Sequence, residues 1–154
     1  MRSDTPVDHL AEVVIGAFFD VYNALRHGFL EQVYVQALAH DLERLGLPFR
    51  REQPIEVFYR RRAVGFYRAD LVVASRLIVE VKAGKALDDS ARWQTLHYLR
   101  ATNLPLGLVL HFGPEARFHR VIGPSHPMRR REPRASDDRC SPDPVDTRSP
   151  GPGT

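Results

Sequence analysis

The sequence predicts an α/β protein of the α+β type, with its elements in the order helix, helix, three strands, helix, two strands (ααβββαββ). Three observations support this prediction. Apolar residues recur at helical intervals over residues 7–45, and they alternate with polar residues over much of residues 55–83. Glycine and proline then mark the breaks between the remaining segments.

The first two elements are predicted to be helices. One apolar stripe follows the start of the chain: Leu10, Val14, Ala17, Val21 and Leu25. This spacing predicts an amphipathic helix from Val7 to Leu25, which the pair His27-Gly28 interrupts. A second helix is expected from about Leu30 to Leu45, ended by Gly46.

Three strands are predicted next, and the last two form a hairpin. The first strand has its alternating apolar residues at Ile55, Val57 and Tyr59. The hairpin pairs Tyr67–Ala74 with Arg76–Ala83 around Ser75. Because strand side chains alternate, one face should be apolar: Ala69, Leu71, Val73, Leu77, Val79 and Val81. The opposite face should carry the polar side chains: Arg68, Asp70, Glu80 and Lys82.

The chain then returns to one helix and two strands. Asp88 or Asp89 should cap a helix that ends near Thr102, with Trp93 in the core. Two short strands follow, separated by a glycine–proline turn: Leu106–His111 and Arg117–Val121.

Composition predicts one folded domain, over residues 1–123, and a disordered tail rich in proline and arginine, over residues 124–154. The tail is either dispensable or a basic arm that touches nucleic acid.

A single cysteine, Cys140, excludes an internal disulfide and a cysteine-based zinc site. No apolar run is long enough to span a membrane, so a cytoplasmic location is expected. The net charge of +3 leans weakly toward anionic partners.

The polar face of the hairpin holds the most informative pair of residues. A turn centred on Ser75 places Asp70 opposite Glu80, with Cβ atoms roughly 4.5–5.5 Å apart. Two facing carboxylates repel each other, and a divalent cation between them would turn that cost into a binding site. The alternative is a solvated face with ion pairs to Arg68 and Lys82.

Lys82 adds a second indication. The chain has 22 lysines and arginines, of which only Lys82 and Lys85 are lysines. A compact ammonium two residues after Glu80 could hold a water molecule or neutralise charge that develops on a phosphate.

Two helical pairs complete the candidate set. Glu31 and Tyr34 share one face of the second helix, and Gln94 and Tyr98 share one face of the third. Glu31 could supply a third oxygen ligand, although an exposed carboxylate near a helix start is also common. Gln94 could orient a water or a phosphate, and Tyr98 could donate to a phosphate oxygen. Tyr34 is either a structural residue beside the site or a substrate contact.

At this point the chain resembles a known family. The segment Gly28-Phe29-Leu30-Glu31-Gln32-Val33-Tyr34 matches the pattern that names the GxxExxY proteins. Further matches are Tyr67-Arg68-Ala69-Asp70, Val79-Glu80-Val81-Lys82, and Gln94 with Tyr98. That family is similar to the PD-(D/E)XK nuclease superfamily. The resemblance implies a restriction-endonuclease-like core, with a central mixed sheet of about five strands flanked by helices.

The resemblance also implies roles for individual residues. Asp70 and Glu80 would bind Mg²⁺, or Mn²⁺ in its place, with the Val81 carbonyl as an extra ligand. Lys82 would be the catalytic lysine. Gln94 and Tyr98 are similar to the QxxxY motif of the RecB-like and phage exonuclease branch, which favours DNA over RNA.

The resulting hypothesis is a Mg²⁺-dependent nuclease that hydrolyses phosphodiester bonds in nucleic acid. Six arginines could follow a phosphate backbone or simply form a solvated face: Arg50, Arg51, Arg60, Arg61, Arg62 and Arg68. Two alternatives stay open. The fold could serve as a non-catalytic binding or regulatory module, or the enzyme could work only in a homodimer or with a partner protein.

Overall fold

The computed structural model describes residues 5–128, so most of the predicted tail lies outside the described residues. The eight elements occur in the predicted order. They are α1 (Val7–Leu25), α2 (Glu31–Arg44), β1 (Phe49–Tyr59), β2 (Arg62–Val73), β3 (Leu77–Ala83), α3 (Ser90–Thr102), β4 (Leu106–Phe112) and β5 (Ala116–Ile122).

The five strands form one mixed sheet in the order β1-β2-β3-β4-β5. Three of the four strand pairs are antiparallel, and β3 and β4 are parallel. The parallel pair follows from the connection, because α3 carries the chain back across the sheet before β4 begins. This arrangement confirms the predicted α+β fold with a restriction-endonuclease-like sheet.

The helices cover both faces of the sheet. Helices α1 and α2 pack on one face, where the larger core contains the side chains of Leu71, Val79 and Leu108. Helix α3 packs on the other face against a smaller core that includes Ile78 and Val109. Because both faces are covered, β3 and β4 are buried over almost their whole length.

The hairpin of β1 and β2 is longer than the sequence predicts. It starts at Phe49 and continues to a turn at Arg60 and Arg61, both of which have positive φ angles. Its outer half leaves large apolar side chains exposed, including Phe58 and Phe66.

Two sequence predictions about burial are wrong. Ala69 does not share a face with Leu71, since it packs in the smaller core on the α3 side. Asp70 and Glu52 are left out of the pairing between β1 and β2, and Glu52 has a φ of +46°. The alternation of side chains between the two faces is therefore interrupted at this point. Trp93 is 61% exposed, because α3 turns other side chains toward the sheet: Ala91, Thr95, Tyr98 and Leu99.

The predicted cap of α3 is supplied by Asp88, whose Oδ1 accepts the Ser90 N–H at 2.9 Å. None of the helices in residues 5–128 has the length and apolar character needed to cross a membrane.

Candidate active site

The candidate site forms where the ladder between β2 and β3 ends. The last paired residues are Leu71 and Val79, so the next position along the hairpin places Asp70 beside Glu80, as predicted. Beyond this pair of residues, hydrogen bonds between side chains and backbone take the place of the backbone hydrogen bonds of the ladder. The Val81 N–H donates to Asp70 Oδ2 at 2.8 Å, and the Asp70 N–H donates to Glu80 Oε1 at 3.4 Å. Each carboxylate is therefore held by the backbone of the opposite strand.

Glu80 is the most deeply buried acid of the site, with 3% of its surface exposed. Loss of solvation, followed by the nearby charge of Asp70, raises the pKa of Glu80 to about 8. The positive charge of Lys82 opposes this shift. Without a bound cation, the Glu80 carboxyl group therefore holds a proton at neutral pH.

Asp70 is half-buried and shows the same tendency. Burial raises the pKa of Asp70, whereas the Val81 N–H and the charge of Lys82 act to lower it. Glu31 and Glu52 add further negative charge near this carboxylate. The pair thus lies in a region where negative charge accumulates and solvent is scarce, which favours a bound cation.

Lys82 lies on the same strand as Glu80, two residues further on, and is half-buried. Among residues 5–128, no ion pair within 4.0 Å joins its ammonium to either carboxylate. Its charge still acts on both of them through space. The ammonium is therefore near the site and available to a ligand.

Arg68, two residues before Asp70, is exposed. Its neighbours Tyr67 and Ala69 both face α3, so the prediction that Arg68 shares a face with Glu80 is wrong.

Glu31 and Tyr34 have different environments although they share a helix. Glu31 is exposed in the first turn of α2, and its charge raises the pKa of both Asp70 and Glu80. Within the described part of the chain, no three His, Cys, Asp or Glu side chains converge closely enough to enclose a metal ion. Glu31 is therefore an electrostatic neighbour of the pair, and its role as a ligand stays a prediction.

Tyr34 is fully buried and holds the α1–α2 connection. Its hydroxyl donates to the Arg26 carbonyl at 2.6 Å and accepts the Phe29 N–H at 3.1 Å. Its ring stacks on Phe112 with centroids 4.1 Å apart. These contacts fix the loop that leads into Glu31. A substrate contact by Tyr34 stays a prediction.

Gln94 and Tyr98 lie on one face of α3 and meet the site together. The Gln94 side-chain amide donates to the Tyr98 hydroxyl. Burial, and then the negative charge of Glu80, raises the pKa of Tyr98, which places this phenol close to the carboxylate pair. The ring of Tyr98 also contacts Tyr67 of β2, with centroids 5.4 Å apart.

His111 is a site neighbour to which the sequence analysis gave no role. It is 3% exposed and pairs in register with Lys82 across β3 and β4. Its Nε2 lies 2.9 Å from the Gly84 carbonyl and donates to it, while Nδ1 has no hydrogen-bond partner among residues 5–128. Gly113 makes room for the ring, since a Cβ there would lie 2.4 Å from it. The contact between Lys82 and His111 depends on the parallel pairing, so local sequence patterns carried no signal for it.

The fold and the site together define a class of protein. The domain has a mixed sheet with helices on both faces, and an acidic pair followed by a lysine lies where a β-ladder ends. These features define a restriction-endonuclease-like domain. A family model described as the PD-(D/E)XK nuclease superfamily matches residues 8–121, and the chain belongs to that superfamily. No match was found among curated proteins or among solved structures.

Proposed function

We propose that this protein is a divalent-metal-dependent nuclease that hydrolyses phosphodiester bonds, with Mg²⁺ as the metal and DNA preferred over RNA. The observation that carries the proposal is the buried pair Asp70 and Glu80, held by reciprocal backbone hydrogen bonds, with Lys82 on the same strand. Membership of the PD-(D/E)XK superfamily supports nuclease chemistry, and its members typically use divalent metals.

The residues present fit a hard divalent cation. Mg²⁺ is commonly bound through one or two carboxylates and keeps several waters, so the pair does not need a third protein carboxylate. Asp70 and Glu80 would hold the ion, with the Val81 carbonyl and Glu31 as further oxygen donors. When bound, the cation would acidify a water and stabilise negative charge on the phosphate oxygens. Mn²⁺ has the same ligand preference and should substitute.

Side chains of the protein would position the attacking water and stabilise the phosphate. Lys82 would hold the attacking water or neutralise the charge that develops on the phosphate. Gln94 would orient that water, and the Tyr98 hydroxyl would donate to a phosphate oxygen. The hydrogen bond between Gln94 and Tyr98 keeps both groups pointed at the same space. Arg68 is exposed two residues before Asp70 and would contact the nucleic acid backbone.

Cleavage of a mixed panel of nucleic acids tests the proposal. The panel contains circular and linear DNA, single and double strands, and RNA, each in Mg²⁺ or Mn²⁺. Glu80→Gln should abolish cleavage because it removes one anionic ligand while keeping the size of the side chain. Glu43→Gln is the matched control, since Glu43 is exposed near the end of α2. Equal cleavage by the parent and Glu80→Gln would overturn the proposal.

One observation favours the non-catalytic alternative. The Glu80 carboxyl group is protonated at neutral pH without a cation, which makes it a weaker ligand for a metal ion. A binding module on this fold would retain nucleic acid in EDTA, and Glu80→Gln would bind as the parent does. Product formation in Mg²⁺ separates the two functions, since the module would bind nucleic acid with and without EDTA and never form product.

We propose membership of the GxxExxY proteins within the superfamily, from the sequence resemblance. We propose a cytoplasmic location from the single cysteine and the lack of a long apolar run. A homodimer or a complex with a partner protein stays open as the working assembly. Size-exclusion chromatography with light scattering tests the homodimer.

A further inference from the structure

A groove lies between β2 and α3, on the side of the sheet to which Glu80 alternates between Val79 and Val81. We call it the aromatic groove, and its walls are formed by Tyr67, Trp93, Gln94, His97 and Tyr98. Its volume is about 370 Å³. Gln94 and Tyr98 form its inner end, because Tyr98 packs in the smaller core with Ile78 of β3 and the Gln94 amide donates to the Tyr98 hydroxyl.

The groove continues outward along the long hairpin. Tyr67 and His97 also line a second cavity of about 460 Å³, which reaches Phe58 on β1 and Arg100 on α3. The two cavities therefore form one path that runs from the candidate catalytic residues to the outer half of the hairpin.

Aromatic surface is exposed along this path. Trp93 and Phe58 are each 61% exposed, and Tyr67 is 48% exposed. Exposed apolar surface that is contiguous marks a binding site, since it is otherwise costly in water. Trp93 is also the only tryptophan of the chain, and α3 directs it away from the core.

One exposed cation on the path can meet a phosphate group. Arg100 is exposed on α3 and lines the outer cavity. Glu56, at the outer end, is the acidic residue among the lining side chains of these two cavities. Aromatic faces beside arginines bind single-stranded nucleic acid, because unpaired bases stack on the rings while the arginines meet the phosphates. Bases inside a duplex are stacked on each other and cannot do so.

We propose that the aromatic groove binds unpaired nucleotides next to the scissile phosphate, with Trp93 and Tyr67 as stacking surfaces. The substrate class is then a single strand, or the single-stranded part of a larger nucleic acid. This inference rests on the proposed nuclease function and specifies its substrate.

Binding can be measured without turnover. Glu80→Gln protein in EDTA is titrated with a thymidine oligonucleotide of about 12 nucleotides, and separately with a duplex of the same length. Stacking should quench the fluorescence of Trp93 in a saturable manner, and the single strand should bind at least about tenfold more tightly than the duplex. Absence of quenching, or equal affinity for the duplex, overturns the inference.

Substitutions test the stacking residues directly, with a labelled oligonucleotide and fluorescence anisotropy. Trp93→Leu and Tyr67→Leu should each weaken single-strand binding about fivefold or more, since one base stack is lost. Phe118→Leu is the matched control, because Phe118 packs on Phe19 at the opposite face of the sheet. Unchanged affinity in both groove variants, or an equal loss in the control, overturns the inference.

The two proposals fail in different ways. Cleavage that is equally fast on duplex and single strand, and that Trp93→Leu leaves unchanged, removes the groove as the substrate site but keeps the nuclease. Single-strand binding that depends on Trp93, in a parent protein that never cleaves, removes the nuclease proposal but keeps the groove as a binding site.

Discussion

At the scale of single residues, the site is defined by which charges are buried and which remain available. Asp70 and Glu80 are tied to backbone N–H groups, so their positions are fixed before any ligand arrives. Lys82 has no direct ion pair with either of them among the described residues. A preorganised acidic pair with an uncommitted ammonium is what phosphoryl chemistry requires.

Lys82 should be essential for cleavage. Lys82→Met should lower the rate constant for cleavage about 100-fold or more, since under the proposed mechanism it removes the group that would hold the attacking water or neutralise charge on the phosphate. Lys82→Arg should also be slow, because the planar guanidinium cannot occupy the position of a compact ammonium. Single-turnover cleavage kinetics measure both effects.

Lys85 provides the control for this prediction. It is the other lysine of the chain and is exposed in the loop after β3. Lys85→Met should cleave as the parent does. A rate for Lys82→Met within a factor of about two of the parent would mean that the ammonium takes no part in the chemistry.

The sequence predicted the acidic pair because both residues belong to one short hairpin. A turn of known centre fixes which residues face each other, and the observed register agrees. Gln94 and Tyr98 could be paired for a similar local reason, since they lie one helical turn apart. The buried contacts of His111 and the bonds of Tyr34 to the α1–α2 loop depend on chain folding over longer distances, and no local pattern predicts them.

At the scale of elements, the β2–β3 turn sets the register that brings the pair together. Ala74 and Ser75 both lie in the left-handed region, with φ of +51° and +55°. The Arg76 N–H donates to the Val73 carbonyl at 3.0 Å and closes the turn. Residues other than glycine are strained in this region, so the turn is a weak point of the site's scaffold.

Ser75→Gly should therefore stabilise the protein, because Ser75 is exposed and its side chain is not packed in the core. Glycine adopts positive φ without steric cost, and the net gain after the larger entropy of the unfolded chain is about 0.5–1 kcal/mol. Chemical denaturation measures the free energy of unfolding. Ala63→Gly is the matched control, because Ala63 lies within β2 and should lose about 0.5–1 kcal/mol. Destabilisation by both changes would show that the turn is not strained.

The long β1–β2 hairpin shows where the alternation of apolar and polar residues does not predict burial. Its outer half exposes apolar residues on the sheet, including Val64 and Phe66, so alternation there does not report burial. The interruption at Glu52 then reverses the side on which Ala69 lies. An interruption of this kind depends on the pairing with the partner strand, which a single strand's sequence does not specify.

At the scale of the whole molecule, the sheet order joins the two halves of the site. The hairpin supplies the carboxylates, and the α3 crossover supplies Gln94 and Tyr98. The order of elements could be predicted from periodicity alone. The parallel pairing of β3 with β4 could not be predicted from periodicity, because the same strands could be arranged in several ways with equal burial of apolar faces. The family resemblance supplied the mixed sheet.

The buried carboxylate should also control the stability of the whole domain as pH changes. The pKa of Glu80 is raised from 4.5 to about 8 by folding, so between these values the folded protein holds a proton that the unfolded chain has lost. The contribution of Glu80 to the free energy of unfolding in EDTA should therefore be greatest at low pH. It should fall by roughly 1 kcal/mol per pH unit as pH rises toward 8.

Glu80→Gln isolates this contribution, because glutamine keeps the acceptor oxygen and cannot ionise. Urea denaturation between about pH 5 and pH 9 should show a shallower decline for Glu80→Gln than for the parent, with Glu43→Gln following the parent. Mg²⁺ should restore stability to the parent above pH 8, where the ionised pair binds the cation without releasing a proton, and should leave Glu80→Gln nearly unchanged. Parallel curves for the parent and Glu80→Gln would contradict the raised pKa. A stabilisation by Mg²⁺ that is equal in both proteins would place the cation somewhere other than the acidic pair.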